Sequence, residues 1–450
     1  MLPPSPNVRR RDFLRLSAGA AAGLCVGAGA RTGDEPQGTE RLRSVPPPNP
    51  NKPAKKIAVV TTAYHYLSHA YHVCGRFLYG YLRNGRMHYP DFAIAGMHVE
   101  QQKDNDLSKG LAKKHGFGLY PDVAGALTLG GTKLAVDGVL LIGEHGDYPY
   151  NEKGQKLYPR YELFQKIVEV FKQSGHSVPV FNDKHLYYDR RKAKEMVDTA
   201  RAMGFPLMAG SSLPVTWRRP EVEPPIGTRF EEAVVASRGE IEIYGFHALE
   251  SLQCMAERRK GGETGVKTVT CLEGDAVWKA GDDGVWSWDL LEEALSRTPS
   301  LNVGDIRENC RHHSPPPGRP TFPRGPVAFA VEYRDGFRGT ALLLNGHIDD
   351  TTFAGRVAGE KKPISTLFYL PPPPGAAFLQ ALTEKVEGFL ATGKPPYPIE
   401  RNLLTTGILD AVLDARVKKR RLDTPDLAVA YKAPADSGFL RGDYNRPAAP

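Results

Sequence analysis

The chain has 450 residues, 41% of them hydrophobic and 24% charged, with a formal charge of +8. That length allows two domains of ordinary size, and the balance is that of a soluble globular protein rather than a disordered or fibrous one. The positive excess gathers near the ends, at Arg9, Arg10, Arg11 and Arg15 and at Lys418, Lys419, Arg420 and Arg421. No aromatic–basic module accompanies it, so nucleic acid is not an expected partner.

The stretch from Arg10 to Ala30, RRDFLRLSAGAAAGLCVGAGA, joins twin arginines to Phe13 and Leu14, then a weakly apolar Gly/Ala run ending in Ala28-Gly29-Ala30. A charged start, a short apolar run and a small-x-small end mark a cleaved export signal. The run is too short and too weakly apolar for a membrane span, which needs about 20 residues. It resembles a twin-arginine translocation (Tat) signal. Residues 1–30 are therefore expected to be a signal peptide, and the mature protein to be periplasmic or secreted with no stable membrane span. Residues 31–54, including RSVPPPNPNKP, read as a proline-rich linker. Cys74, Cys254, Cys271 and Cys310 remain beyond the signal. They form no C-x-x-C pair, so neither a metal knuckle nor a redox motif is expected.

From Lys55 the pattern alternates short apolar runs with amphipathic segments. Strands are expected at Ile57–Val60, Phe92–His98, Gly138–Ile142, Val178–Phe181 and Pro206–Ala209. The clearest helix is DRRKAKEMVDTARAM, with Ala193, Met196, Val197, Ala200 and Met203 on one face. Such alternation predicts α/β architecture, a Rossmann-like doubly wound parallel sheet over residues 55–215. The pattern then changes. Glu231–Ser237 and Val266–Leu272 read as strands, and Val327–Tyr333 with Gly339–Leu344 as a hairpin turning at Asp335-Gly336. Helices are expected over about 376–391 and 403–418. Residues 216–420 thus form an α+β domain with an open, mostly antiparallel sheet, whose last helices could pack back on the first domain. A polar tail covers 421–450. Trp278, Trp286 and Trp288 suit either a carbohydrate platform or core packing.

Two stretches carry a family resemblance. In SVPVFNDKHLYYDRRKAKEMVDTARAMGFPLMAGSSLPVTWRRP, Ser177 to Pro220, Asp183-Lys184-His185 follows a strand and Gly210-Ser211 closes a later one. In EIEIYGFHALESLQCM, Glu240 to Met255, Gly245 and His247 open a helix. These resemble the E-K-P, G-H and D-x-G-x-H motifs of the Gfo/Idh/MocA family of NAD(P)-dependent oxidoreductases, with Ile243 in the place of the aspartate. The resemblance covers about Lys55 to Lys419. It implies a Rossmann domain, a substrate domain, NAD or NADP as cofactor, and a sugar or polyol as substrate; a homo-oligomer is an open expectation that the sequence does not decide. It implies that Lys184 orients the substrate hydroxyl and that His247 takes its proton. Thr61, Thr62, Ala63, Tyr66, Glu100, Glu144, His145 and Asp183 would then line the nucleotide's path.

The first loop departs from that pattern. Where the family has G-x-G-x-x-G, this chain reads Thr61-Thr62-Ala63-Tyr64-His65-Tyr66. Glycines there let backbone approach pyrophosphate and let helix pack on strand. Tyr66, at the third glycine's place, is expected to put bulk into that packing. Two other readings therefore stay open. One is a carbohydrate-binding or scaffold protein of the same fold that has lost the nucleotide. The other is a metal-dependent hydrolase or lyase, since His65, His69 and His72 are spaced to share a helical face near Glu144, His145 and Asp147. A metal is not the expected cofactor, because one helix seldom supplies three ligands to one ion.

Overall fold

The computed structural model describes residues 55–83, 86–317 and 321–442. The expected signal peptide and linker, and residues 443–450 of the expected tail, lie outside the described residues. Five apolar stretches become the parallel strands expected of them. In chain order the first sheet and its cover are β1 (Lys55–Thr61), α1 (His69–Tyr79), the hairpin β2 (Tyr81–Arg83) and β3 (Arg86–His88), β4 (Phe92–Val99), α2 (Ser108–His115), β5 (Gly118–Leu119), α3 (Val123–Thr128), β6 (Gly138–Ile142), α4 (Arg160–Ser174), β7 (Val180–Asp183), α5 (Arg190–Met203) and β8 (Leu207–Gly210). The strands run in the order β5-β4-β1-β6-β7-β8, all parallel. The run Ile57–Val60 is apolar throughout because both faces of β1 are covered. Ile57 and Val59 pack on the α1 side, and Ala58 and Val60 on the side of α4 and α5. Helix α5 buries Ala193, Met196, Val197 and Ala200, starts on the Asp189 side chain and stops at Gly204 in the left-handed conformation.

The second sheet and its cover are β9 (Trp217–Arg219), β10 (Phe230–Ser237), α6 (Ile243–Ala256), β11 (Val266–Glu273), α7 (Asp275–Asp282), α8 (Trp288–Leu295), α9 (Ile306–His312), β12 (Val327–Tyr333), β13 (Arg338–Leu343), β14 (Thr352–Val357), β15 (Ile364–Tyr369), α10 (Ala377–Thr392), α11 (Ile399–Lys418) and β16 (Leu422–Asp423). Its eight strands run β16-β11-β12-β13-β10-β14-β15-β9. Only β10 against β13 is a parallel pair, so the sheet is mostly antiparallel. One face packs on α6 and α11 through Phe246, Leu249, Leu409 and Val412. The other packs on α7 and α8 through Trp278, Trp286, Leu290 and Leu291, so two of the three tryptophans fill the core.

Helix α11 begins four residues earlier than the sequence pattern suggests, directly after Pro398. It is buried along most of its length because it lies between both halves, touching α5 and β8 on one side and α6 and β11 on the other. Helix α10 lies on α1. The four described cysteines are free thiols, three of them buried. Among the described residues no helix is long and apolar enough to cross a membrane.

Candidate functional site

Open α/β sheets bind ligands at the carboxyl ends of their strands, where the strand order reverses. Here that edge carries two different environments. The first is built around Lys184, the residue after β7. Its backbone is left-handed, with φ at 63°. Such a conformation costs a non-glycine residue on the order of 1–3 kcal/mol, so the surroundings must impose it. They do so from both sides. The Lys184 N–H donates to the Gly210 carbonyl (3.0 Å), and its carbonyl accepts from Asn402 Nδ2 on α11 (3.1 Å). Gly210 cannot be another residue: its φ is 143°, and a Cβ there would sit 2.4 Å from Tyr397 Oη.

The Lys184 ammonium donates to Glu144 Oε1 (2.8 Å), and Arg160 Nη2 binds the other carboxylate oxygen (2.6 Å). All three side chains are buried. Burial alone would raise the Glu144 pKa, but Lys184 and Arg160 hold it well below the usual carboxylate range. A second Arg160 nitrogen lies 3.0 Å from His185 Nε2. Glu242, at the start of α6, accepts from the Lys156 N–H (2.8 Å), and burial pushes its pKa up to about 8. Asp183 is fully buried and lies 2.7 Å from His69 Nδ1.

His247 comes to this edge from the other half of the molecule, on the first turns of α6. That helix sits close on the second sheet because Gly245 leaves room; a Cβ there would be 2.6 Å from the Phe329 ring. Lys184 and His247, 63 residues apart in sequence, line one cavity of about 600 Å³ between the two halves. His69, Ser211, Arg238 and Tyr244 share it, and Leu370 to Pro373 form an apolar wall. The volume is that of a small-molecule site. Burial, then the Lys184 charge, keeps the His247 imidazole neutral by lowering its pKa. Two buried polar atoms without a hydrogen-bond partner belong to its lining: Asp183 Oδ1 and His247 Nδ1. Native structures leave few such atoms, and those left call for an account. A polar ligand is the account the cavity suggests.

The second environment is the turn after β1, and it is closed. The Thr61 hydroxyl donates to the carbonyl of Ile142 (2.9 Å), and the Thr62 hydroxyl to that of Glu144 (2.8 Å). Both threonines are fully buried, so the turn is tied to β6 rather than free to meet a phosphate. The bulk in the helix–sheet packing comes from Tyr64, which is buried in the core; Tyr66, expected there, is 60% exposed. The reason is length. Seven residues separate β1 from α1, so Tyr66 projects from a bulging turn. Glu100 follows β4 directly, the place of a ribose-binding acid, but is exposed and contacts Tyr148 Oη at 3.4 Å. Gln101 and the Asp147 backbone exchange two hydrogen bonds (2.8 and 3.1 Å), and Lys103 pairs with the Asp147 carboxylate. These contacts join the loops after β4 and β6 across the crevice. What remains beside Ala63, Tyr64 and His65 is a polar cavity of about 200 Å³. A dinucleotide does not fit there as the side chains stand.

Several sequence-based expectations change accordingly. His65, His69 and His72 do not share a helical face, because α1 starts only at His69, capped by Ser68. His65 faces the small cavity, while His69 and His72 face the large one. Among the described residues no group of three His, Cys, Asp or Glu side chains is arranged to hold a metal. Glu144, placed on the nucleotide's path, instead has both oxygens taken by Lys184 and Arg160. Asp183, also placed there, is the partner of His69. His145 has φ at 71°, and its ring lies 5.0 Å from that of His65 and 5.6 Å from that of His69. Arg160, Glu242 and Asn402 escaped sequence reasoning. Nothing local distinguishes them from solvated helix residues; only the fold brings them near Lys184.

No family model and no curated protein matches this sequence. Solved structures do. GenD2 from gentamicin A biosynthesis, solved with NAD, is 11% identical and aligns over 82% of this chain and 96% of its own, with a TM-score of 0.50. An oxidoreductase from Agrobacterium radiobacter, solved with NAD+, L-tartaric acid and magnesium, is 15% identical over 82% and 98%, with a TM-score of 0.49. Myo-inositol 2-dehydrogenase from Lactobacillus plantarum is 12% identical over 82% and 99%, with a TM-score of 0.48. At this identity the likeness is one of fold. The chain has the two-domain architecture of the Gfo/Idh/MocA-type oxidoreductases.

Proposed function

We propose that this protein works on a sugar- or polyol-like ligand in the cleft between its two domains, in the manner of the oxidoreductases whose fold it has. One observation carries the reading: Lys184 and His247, matched to that family's motifs in sequence, line the same cavity. The Lys184 ammonium, fixed by Glu144, donates a hydrogen bond to a ligand hydroxyl and eases loss of its proton. Neutral imidazole in the cleft supplies the acceptor, as general base catalysis requires. Ser211, Arg238 and Tyr244 offer further polar contacts to a hydroxylated ligand. This is the proton half of an alcohol oxidation. The hydride half would belong to NAD or NADP, and the closed crevice after β1 does not accommodate either. That closure favours a second reading, in which the chain binds such a ligand without hydride transfer.

Thermal denaturation against a panel of inositols, hexoses and sugar acids separates the readings. Stabilisation by a panel member, lost in His247→Ala and Lys184→Ala, is expected. Stabilisation that survives both substitutions would move the site elsewhere. Reduction of added NAD+ or NADP+ in the ligand's presence would decide for hydride transfer. Export by the twin-arginine route belongs to the same proposal, supported by Arg10, Arg11 and the apolar run that follows. Replacing both arginines by lysine should hold the chain in the cytoplasm, where fractionation would find it.

A further inference from the structure

We infer that the proton acceptor of this cleft is His69, oriented by Asp183, with His247 left as a hydrogen-bond partner of the ligand. The inference rests on the proposed reading of the cleft and deepens it. His69 opens α1 and reaches the cleft from the first domain. Its Nδ1 lies 2.7 Å from Asp183 Oδ2, and Asp183 is fully buried at the end of β7. A carboxylate accepts but cannot donate, so this bond keeps the proton on Nδ1 and leaves the lone pair on Nε2. Nε2 has no protein partner among the described residues, and the ring borders the cavity. The arrangement is an imidazole aimed and charge-balanced by a buried carboxylate, as a general base needs.

His247 lacks each of these features. Ile243 stands one turn before it, and no carboxylate bonds it; its Nδ1 is buried without a partner. A proton arriving on His247 would have the Lys184 ammonium near it and no fixed counter-charge. A proton arriving on His69 completes an ion pair with Asp183. In the step, the ligand O–H bond breaks, an Nε2–H bond forms on His69, and the oxygen's growing negative charge faces the Lys184 ammonium. No electron transfer is involved.

The test is carbethoxylation of the full chain by diethylpyrocarbonate at neutral pH, read residue by residue by mass spectrometry. The reagent attacks a free imidazole lone pair, so His69 should react faster than His247 and His145. Asp183→Asn should slow His69 by at least about tenfold, because the carboxamide can donate to Nδ1 and leave the proton on Nε2. Asp183→Glu should restore the rate. Faster reaction at His247, or an unchanged His69 rate in Asp183→Asn, would overturn the assignment. Should Asp183→Asn not fold, nitrogen-15 spectra of histidine-labelled wild-type protein read the tautomer directly, and a proton on Nε2 of His69 would overturn it equally. Neither experiment needs ligand or nucleotide. A failure here is therefore distinct from a failure of ligand binding in His247→Ala and Lys184→Ala.

Discussion

Two strand ends of one parallel sheet, those of β1 and β7, have been treated in opposite ways. At β1 the polar groups are spent on one another: two threonine hydroxyls on strand carbonyls, and Gln101, Lys103 and Asp147 on each other. At β7 the groups are paired on their inner side and free on the side of the cavity. Glu144 fixes Lys184, Asp183 fixes His69, and both cations or rings still face about 600 Å³ of space. The lesson is that a fold can close one of its ligand positions while the neighbouring one stays built, because each depends on side chains rather than on the sheet.

The largest effect that would sharpen this contrast is at the β7 end. Glu144→Gln leaves Lys184 and Arg160 buried without a counter-ion, and breaking a buried pair costs roughly 3–5 kcal/mol. Urea denaturation should show a loss of that size; a loss under about 1 kcal/mol would mean the network does not hold Lys184 in place.

Glu242 gives the next effect. Burial raises its folded pKa to about 8, against an ordinary value of 4.5. Between those values the folded state holds a proton that the unfolded chain has released, so stability is fully present below about pH 4.5 and falls as pH rises towards 8. A decline on the order of 2–4 kcal/mol across this window is expected, and Glu242→Gln should flatten it. Denaturation curves at pH 5.5 and 8 that coincide for the wild type would contradict this placement of Glu242.

At the β1 end the effects are smaller. Thr62→Val removes the hydroxyl that serves the Glu144 carbonyl and should cost about 1–2 kcal/mol in the same assay. An unchanged midpoint would mean the turn is not tied to β6. Smallest of all is Asp147→Ala. Its carboxylate is exposed, and the urea midpoint should not move measurably. A clear loss would show the clasp to be structural rather than a cover.

Much of the fold was legible before any coordinates. Ile57–Val60 and Gly138–Ile142 are continuous apolar runs because both sheet faces are covered, and the α5 pattern shows its buried face directly. The positions of Lys184 after a strand and of His247 at a helix start were legible through the motifs around them, and their roles belong to the proposal. The β1 turn misled because glycine loss says only what cannot fit, not where the chain goes instead; Tyr64 went inward and Tyr66 outward. His65 misled because a spacing of four implies a shared face only inside a helix, and the helix begins at His69. Arg160, Glu242 and Asn402 stayed hidden because Arg160 meets Glu144 from α4, Glu242 meets the Lys156 N–H from the start of α6 and Asn402 meets the Lys184 carbonyl from α11, contacts that no local pattern encodes.

The central claim is that the interdomain cleft is the working site and that the crevice after β1 is shut to a dinucleotide. Equilibrium dialysis of the wild-type protein against radiolabelled NAD+ and NADP+ tests it most directly. No saturable binding of either up to about 1 mM is predicted. Saturable binding at micromolar concentration, with the Gln101–Asp147 contact intact, would contradict it.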